Sequence, residues 1–434
     1  MSHPLNLLIV CGHDPDSNWI GPTRVRKFAE NLTASGSSVK VLSRVGVTSY
    51  APAVQFTGDS VPRPQTSALR GTGARQAQSA KTMTRRARPP GIAPRLWLEV
   101  RPRLTWVFRH VLAVPDREVF SVGRLFRHSR DLGEWAPEVI VASGPPFSAF
   151  FVAQGIARQR GIPWVADYRD LWTANSYYSL GPVRRRIDRV LESRVLRTAS
   201  LVTTVSQPLV DEMNRIFGVR SELLLNGYDP TDLASFVPDP DVFSGLPLRI
   251  VYTGEAYGDS EPLFKALASM KIGADQVLVE CHGSTVHLIQ DAARRQHVEH
   301  LVSCGPRVPH AESVALQQRA DILLLLMRND PGDKGVYSGK IFEYLGARRP
   351  ILMLGFSEGV AADLVRSRNA GVVANNLDDI VSAVQTWLDA KRDRGLLPAL
   401  AETVSAGLTR QEQSERLRQL CETLISGADQ RESA

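Results

Sequence analysis

From Ile322 to Leu354 the chain passes from an apolar run through a polar loop into a helix-like stretch, then directly into a second apolar run. Two short, fully apolar strands joined by one helix can hardly be anything but neighbours in a parallel sheet covered on both faces. The intervening segment, Gly335 to Pro350, places Ser338, Gly339 and Lys340 at the N-terminus of the predicted helix, on the carboxyl edge of that sheet. Unpaired N–H groups and the helix dipole favour an anion there. Gly335 and Gly339 let a phosphate approach the backbone, and Lys340 adds a positive charge. Glu343 falls on the same helix face as Lys340. A lysine for a diphosphate and a carboxylate for a ribose diol are what a sugar-nucleotide pocket requires. The competing account is an ordinary strand–loop–helix unit, whose Ile341, Phe342 and Leu345 pack as core.

The same alternation recurs along the chain. Strands are expected at Leu5 to Val10, Val39 to Leu42, Val139 to Ala142, Trp164 to Asp167, Leu201 to Val205 and Glu222 to Leu225, with helices between them. A second series follows at Leu248 to Tyr252, Gln276 to Cys281, Leu301 to Ser303, Ile322 to Met327 and Ile351 to Leu354. Two doubly wound α/β units of Rossmann-like type therefore face each other across a cleft. The expected division is an acceptor-binding domain at 1–230, a Pro- and Asp-rich linker at 231–247 and a donor-binding domain at 248–405. A closing helix lies within 406–434. A chain of 434 residues is too long for one ordinary core, which agrees.

Residues 51–94, rich in Ala, Gly, Ser, Thr, Gln, Pro and Arg, read as a mobile insertion. Between Lys81 and Leu112 stand Lys81, Arg85, Arg86, Arg88, Arg95, Arg101, Arg103 and Arg109 against the single acid Glu99, which equals the whole net charge of +7. A charge confined to one segment argues against a nucleic-acid protein. With Trp97, Trp106 and Phe108 interleaved, residues 81–112 suit an anionic membrane surface, or else a solvated loop or a packed aromatic cluster. No apolar run approaches the about 18 residues of a membrane span, and no secretion signal opens the chain. The four cysteines show no close pair spacing, which argues against zinc and fits a reducing cytoplasm. A cytoplasmic protein, peripheral on the inner membrane face, is the expectation.

The segment 335–350, with Gly21 near the N-terminus and Asn226-Gly227 at mid-chain, resembles the donor-site signature of bacterial glycosyltransferases of the GT-B fold, in the broad family 4 group. The resemblance implies transfer of a sugar from a nucleoside-diphosphate donor to a hydroxyl of a glycan or lipid-linked acceptor. It implies no cofactor and no metal, because such sites hold the diphosphate with helix dipoles and basic side chains. It further implies retention of anomeric configuration, a glycine at Gly21 close to the diphosphate, a segment around Val308 whose backbone meets the nucleobase, and a last helix, within 406–434, that crosses back to brace the first domain. The sequence departs from the pattern twice. Gly254, which would let a donor phosphate or sugar lie against the main chain, is followed by no Arg or Lys before Lys265, and Gly335 stands where the first of a pair of glutamates is usual. Asp330 and Asp333 are its nearest acidic neighbours.

The remaining candidates sit at expected strand ends. Asp167-Tyr-Arg-Asp-Leu-Trp172 places Arg169 and Asp170 at the cleft mouth, where Asp170 would accept the proton of the attacking hydroxyl. Asp167 either joins it on the acceptor side or forms a structural ion pair with Arg169. Gly144 admits an acceptor or simply makes a turn, with Ser148 as an N-cap. Ser206 caps the following helix or meets a ligand, and His13 is a solvated loop histidine. Two other functions fit the same architecture: a sugar-nucleotide epimerase, and a non-catalytic nucleotide- or glycan-binding protein.

Overall fold

A computed structural model describes residues 4–17, 20–50, 113–234 and 245–432. The insertion at 51–94 and the basic, aromatic segment 81–112 lie outside the described residues, as does most of the linker.

Each expected strand is present, within a few residues of its predicted ends. The first sheet comprises β1 (Asn6–Cys11), β2 (Ser38–Ser43), β3 (Gly46–Tyr50), β4 (Val139–Gly144), β5 (Trp164–Tyr168), β6 (Leu201–Thr204) and β7 (Ser221–Leu223). Their order is β3-β2-β1-β4-β5-β6-β7, all parallel except the edge strand β3. β3 was not expected; its half-exposed Val-Thr-Ser-Tyr alternation is too short to stand out before the polar stretch that follows.

The second sheet comprises β8 (Leu248–Thr253), β9 (Val277–His282), β10 (Val302–Gly305), β11 (Ile322–Leu326), β12 (Ile351–Leu354) and β13 (Gly371–Val373). Its order, β10-β9-β8-β11-β12-β13, repeats the doubly wound arrangement. In both sheets the chain reverses direction beside the first strand, opening a crevice at the carboxyl ends.

Period-two alternation sorts the strand side chains into cores on opposite faces. Leu7, Ile9 and Cys11 join one cluster while Leu8 and Val10 join another. In the second lobe Leu323 and Leu325 face one core, Ile322, Leu324 and Leu326 the other. The terminal helix Arg410–Glu432 completes a core that is not its neighbour in sequence. Leu417, Leu420 and Cys421 pack with Leu5, Val25 and Leu32 of the first lobe, and Asn31 Nδ2 donates to Ser414 Oγ at 3.2 Å.

The chain thus crosses between lobes twice, side by side. Tyr228 N donates to Leu408 O at 3.1 Å and Arg410 N to Tyr228 O at 2.8 Å. The crossings are fixed to the first sheet through Arg24. This buried arginine donates from Nε and Nη2 to Asp167 at 3.1 and 3.0 Å, and from Nη1 to Leu225 O and Asn226 Oδ1, both at 2.8 Å.

Candidate functional site

Ser338 caps the helix Gly339–Ala347, its side chain accepting from Lys340 N at 3.4 Å. That cap leaves the first turn's N–H groups at the carboxyl end of the second sheet. The Lys340 side chain crosses to the end of β8. Its Nζ donates to Glu255 O at 2.9 Å and Tyr252 Oη at 3.2 Å, and lies over the rings of Tyr252 and Tyr257. Burial pushes the ammonium down to about 8, against the opposing pull of Glu343 and Glu255.

Gly254 makes this crossing possible. Its φ is +98°, and a Cβ there would stand 2.8 Å from Lys340 Cε. Gly254→Ala is expected to destabilise the protein by about 1–3 kcal/mol and to weaken donor binding, since strain and displacement of the lysine act together. A thermal melt and calorimetry on the variant check both effects.

Glu343 points elsewhere, into a pocket between the second lobe and the crossings. Gln317 Nε2, which also donates to Thr253 Oγ1 at 3.1 Å, holds Glu343 Oε2 at 3.0 Å. Tyr228, Asp229, Asp232, His310 and Arg410 line the same pocket. His310 Nε2 meets Asp232 Oδ2 at 3.0 Å, a contact that raises its pKa despite partial burial, with Glu343 adding to the effect. Burial lowers the Arg410 pKa, while Glu343 supports the charge. Lys340 and Glu343 therefore face adjoining compartments, one at the end of β8 and one beside the interlobe crossings.

Val308 is half-buried in the short loop between β10 and the helix His310–Arg319, at the same sheet edge. Its neighbour Arg307 is exposed and close enough to Glu255 to act on it electrostatically. The Glu255 carboxyl is held below its usual range by the Ser284 and Thr285 hydroxyls first, with Arg307 and Lys340 contributing. Arg307 supplies a cation that the Gly254 loop lacks. It adjoins Val308 in sequence, so only its distance from Gly254 hid it. Arg410 is a different case, since only the terminal helix's return brings it to Glu343.

On the first lobe, Gly21 lies beneath the Arg169 guanidinium, where a Cβ would overlap Nη1. Arg169 N donates to Gly144 O at 3.0 Å, its Nη2 donates to Pro145 O, and its Nε is buried without a partner. Burial lowers its pKa, offset by Asp167, Cys11 and Asp170. Asp170 is solvent-exposed, yet surrounded closely enough that lost hydration raises its carboxyl above the ordinary range while Arg169 pulls it down. Trp172, stacked on Phe147 with centroids 5.1 Å apart, anchors this turn.

Asp167 does not share that exposure. It is 0% exposed and accepts from Arg24, from Ser143 Oγ at 2.8 Å and from Thr203 Oγ1 at 3.0 Å. Burial raises its pKa, but Arg24 and the two hydroxyls outweigh that and lower it. Its place is structural, and its ion-pair partner is Arg24 rather than Arg169. Gly144 likewise faces inward, with Phe147 and Phe150 both 3.0 Å from where its Cβ would lie. Ser148 is inside its helix rather than capping it; Asp116 Oδ2 accepts from Ser148 N at 3.0 Å. His13 is half-buried rather than solvated, and burial lowers its pKa.

The position of the absent glutamate has a structural occupant. Ser206 Oγ neither caps its helix nor waits for a ligand; it donates to Gly335 O at 2.7 Å across the cleft. A Cβ on Gly335 would stand 2.9 Å from Leu209 Cδ2. Of the neighbouring acids, Asp333 is buried against Arg328 Nη2 at 3.0 Å, and Asp330 Oδ1 accepts from Gly332 N at 2.7 Å. Arg328 in turn stacks on Tyr177 of the first lobe, 3.4 Å from its ring centroid. The lobes thus touch along the edge of the cleft where the first glutamate would have stood.

Residues 21–227 match the family profile described as the glycosyl transferase 4-like domain. Sucrose-phosphate synthase from Thermosynechococcus elongatus has a similar structure, with TM-score 0.60 and 13% identity over 98% of this chain and 100% of that one. A glycosyltransferase from Rickettsia africae gives TM-score 0.56 and 10% identity over 98% and 99%. Anabaena HepE in complex with UDP gives 0.58 and 12% over 97% and 100%. Among curated proteins no sequence matches the chain. The fold is that shared by these glycosyltransferases, of GT-B type, and the profile match falls on the first lobe.

Proposed function

We propose that this protein transfers a sugar from a nucleoside-diphosphate sugar to a hydroxyl group of a glycan or lipid-linked acceptor. The observation that carries the reading is the Lys340 ammonium above Gly254 at a capped helix N-terminus, with Glu343 in the adjoining pocket. Lys340, the helix dipole and Arg307 neutralise the diphosphate as it departs, so the residues present supply the charge without a metal ion. Glu343 accepts from the ribose hydroxyls. Asp170, raised in pKa and set beside Arg169, takes the proton of the attacking hydroxyl. With Gly335 packed against Ser206 and Leu209, no side chain at that position meets the transferred sugar. Retention of configuration then depends on the leaving diphosphate and the backbone around it.

HepE has been captured with UDP-glucose and with UDP and glucose, and WaaG, of TM-score 0.50, is described as acting in lipopolysaccharide biosynthesis. UDP and UDP-hexoses are therefore the first donors to try, with a cell-surface glycan or its lipid carrier as acceptor. No described helix is long and apolar enough to cross a membrane.

Calorimetry with UDP tests the pocket. Lys340→Ala and Glu343→Ala are each expected to weaken binding by about tenfold to a hundredfold, the worth of a charge-assisted hydrogen bond. Wild-type affinity in both variants would refute the assignment. Affinity should also fall as pH rises through about 8, because the free enzyme then loses the Lys340 proton that a bound diphosphate requires. Conversion of the donor to its epimer in the absence of any acceptor would replace transfer with isomerisation.

A further inference from the structure

The helix Gly181–Leu196 is built with its polar side inward. Arg184, Asp188 and Glu192 are buried, at 3%, 0% and 0% exposure, while Val183, Ile187 and Val190 are 70%, 49% and 50% exposed. The inner side is a satisfied network. Arg184 Nε donates to Asp188 Oδ1 at 2.8 Å, Tyr178 Oη to Asp188 Oδ2 at 2.7 Å, and Tyr168 Oη to Glu192 Oε1 at 3.0 Å.

The outer side has no such account. Val183, Ile187 and Val190 recur at helical spacing and share one face, with Arg194 on the next turn and Arg186 and Arg197 along its flank. Arg189 is exposed as well, and neither acid of this helix, Asp188 or Glu192, reaches the surface. Folding alone would be served as well by polar residues at 183, 187 and 190. An apolar stripe fringed by arginines suits a water–bilayer boundary, where the aliphatic parts enter the headgroup layer and the guanidinium groups meet lipid phosphates.

We propose that this face of Gly181–Leu196 docks the protein onto an anionic lipid bilayer. Charge decides the occupant. A second copy applied symmetrically would bring two arginine fringes together, whereas an anionic bilayer neutralises them. The purpose rests on the sugar-transfer reading. The turn holding Arg169 and Asp170 leads through Tyr177, which touches the second lobe, directly into this helix. A lipid-held acceptor is thereby presented beside the cleft.

The test is sedimentation of the full chain with vesicles of phosphatidylcholine alone and of phosphatidylcholine with phosphatidylglycerol. Wild-type protein should bind the mixed vesicles, less so as salt is added. Ile187→Asp and Arg194→Glu should each lower that binding roughly tenfold, with melting temperature and UDP affinity unchanged. The inference is overturned if wild type binds no vesicles, or if both variants bind like wild type. It is overturned equally if Ile187→Asp converts a dimer to a monomer, which would give the face to a second copy. Replacing Arg95, Arg101, Arg103 and Arg109 separates the basic segment's contribution; if that alone abolishes binding while the helix variants retain it, the helix is not the docking face. Vesicle sedimentation reads no sugar chemistry, so its failure leaves the donor site standing, and failure of the donor site leaves the docking face standing.

Discussion

Asp170→Asn is expected to lower kcat by ~10²–10⁴-fold, the range for loss of a positioned general base, while donor affinity stays unchanged. The amide keeps the size of the carboxylate and the neighbourhood of Arg169 but accepts no proton. Lost hydration places the carboxyl above its ordinary range, with Arg169 limiting the rise. The wild-type rate should therefore climb with pH through that raised value, since only the ionised form is a base. The variant should lack this acidic limb. A variant within about tenfold of wild-type kcat would remove Asp170 from the mechanism. Donor affinity measured in parallel distinguishes lost chemistry from a disturbed cleft, because Asp170 and Lys340 stand on different lobes.

Arg24→Ala should be strongly destabilising, at ~3–5 kcal/mol, because it leaves the Asp167 carboxylate buried without its ion-pair partner. The same guanidinium carries Leu224 O at 3.0 Å together with Leu225 O and Asn226 Oδ1, so the variant also frees the first interlobe crossing. Denaturant unfolding reads the first effect, and a loss of donor affinity reads the second. The pH dependence has a definite sign. Asp167 has a folded pKa below its unfolded one, so its contribution is complete above the ordinary carboxyl value and disappears as pH falls through the folded value. Arg24→Ala should flatten that acid-side loss. An unfolding midpoint close to wild type would show that the pair is not what fixes the crossing.

Asp167 and Asp170 show how far sequence reasoning reached. Both stand at the end of a strand in one short motif, and nothing in that motif says which carboxylate is satisfied internally. The answer comes from Arg24, Ser143 and Thr203, which neighbouring strands and a distant helix bring to Asp167. Likewise, Arg307 adjoins Val308 in sequence and is legible beside it, whereas Arg410 lies about a hundred residues away and is not. The edge strand β3 was missed because five half-exposed residues carry little periodic signal.

What the sequence determined by itself was local. Apolar runs of strand length, helical spacing between them and a Ser-Gly-Lys helix start are set by neighbours along the chain, so they dictate strands, helices and an anion-ready helix terminus. Sheet order and the pairing of Arg24 with Asp167 were decided only by the tertiary structure, as were the packing of Gly335 under Leu209 and the polar-inward orientation of Gly181–Leu196. The physical reason is that burial and ionic partnership depend on which groups meet in space. Here the decisive partners are apart in sequence, within one lobe for Arg24 and Asp167 and on different lobes for Gly335 and Leu209.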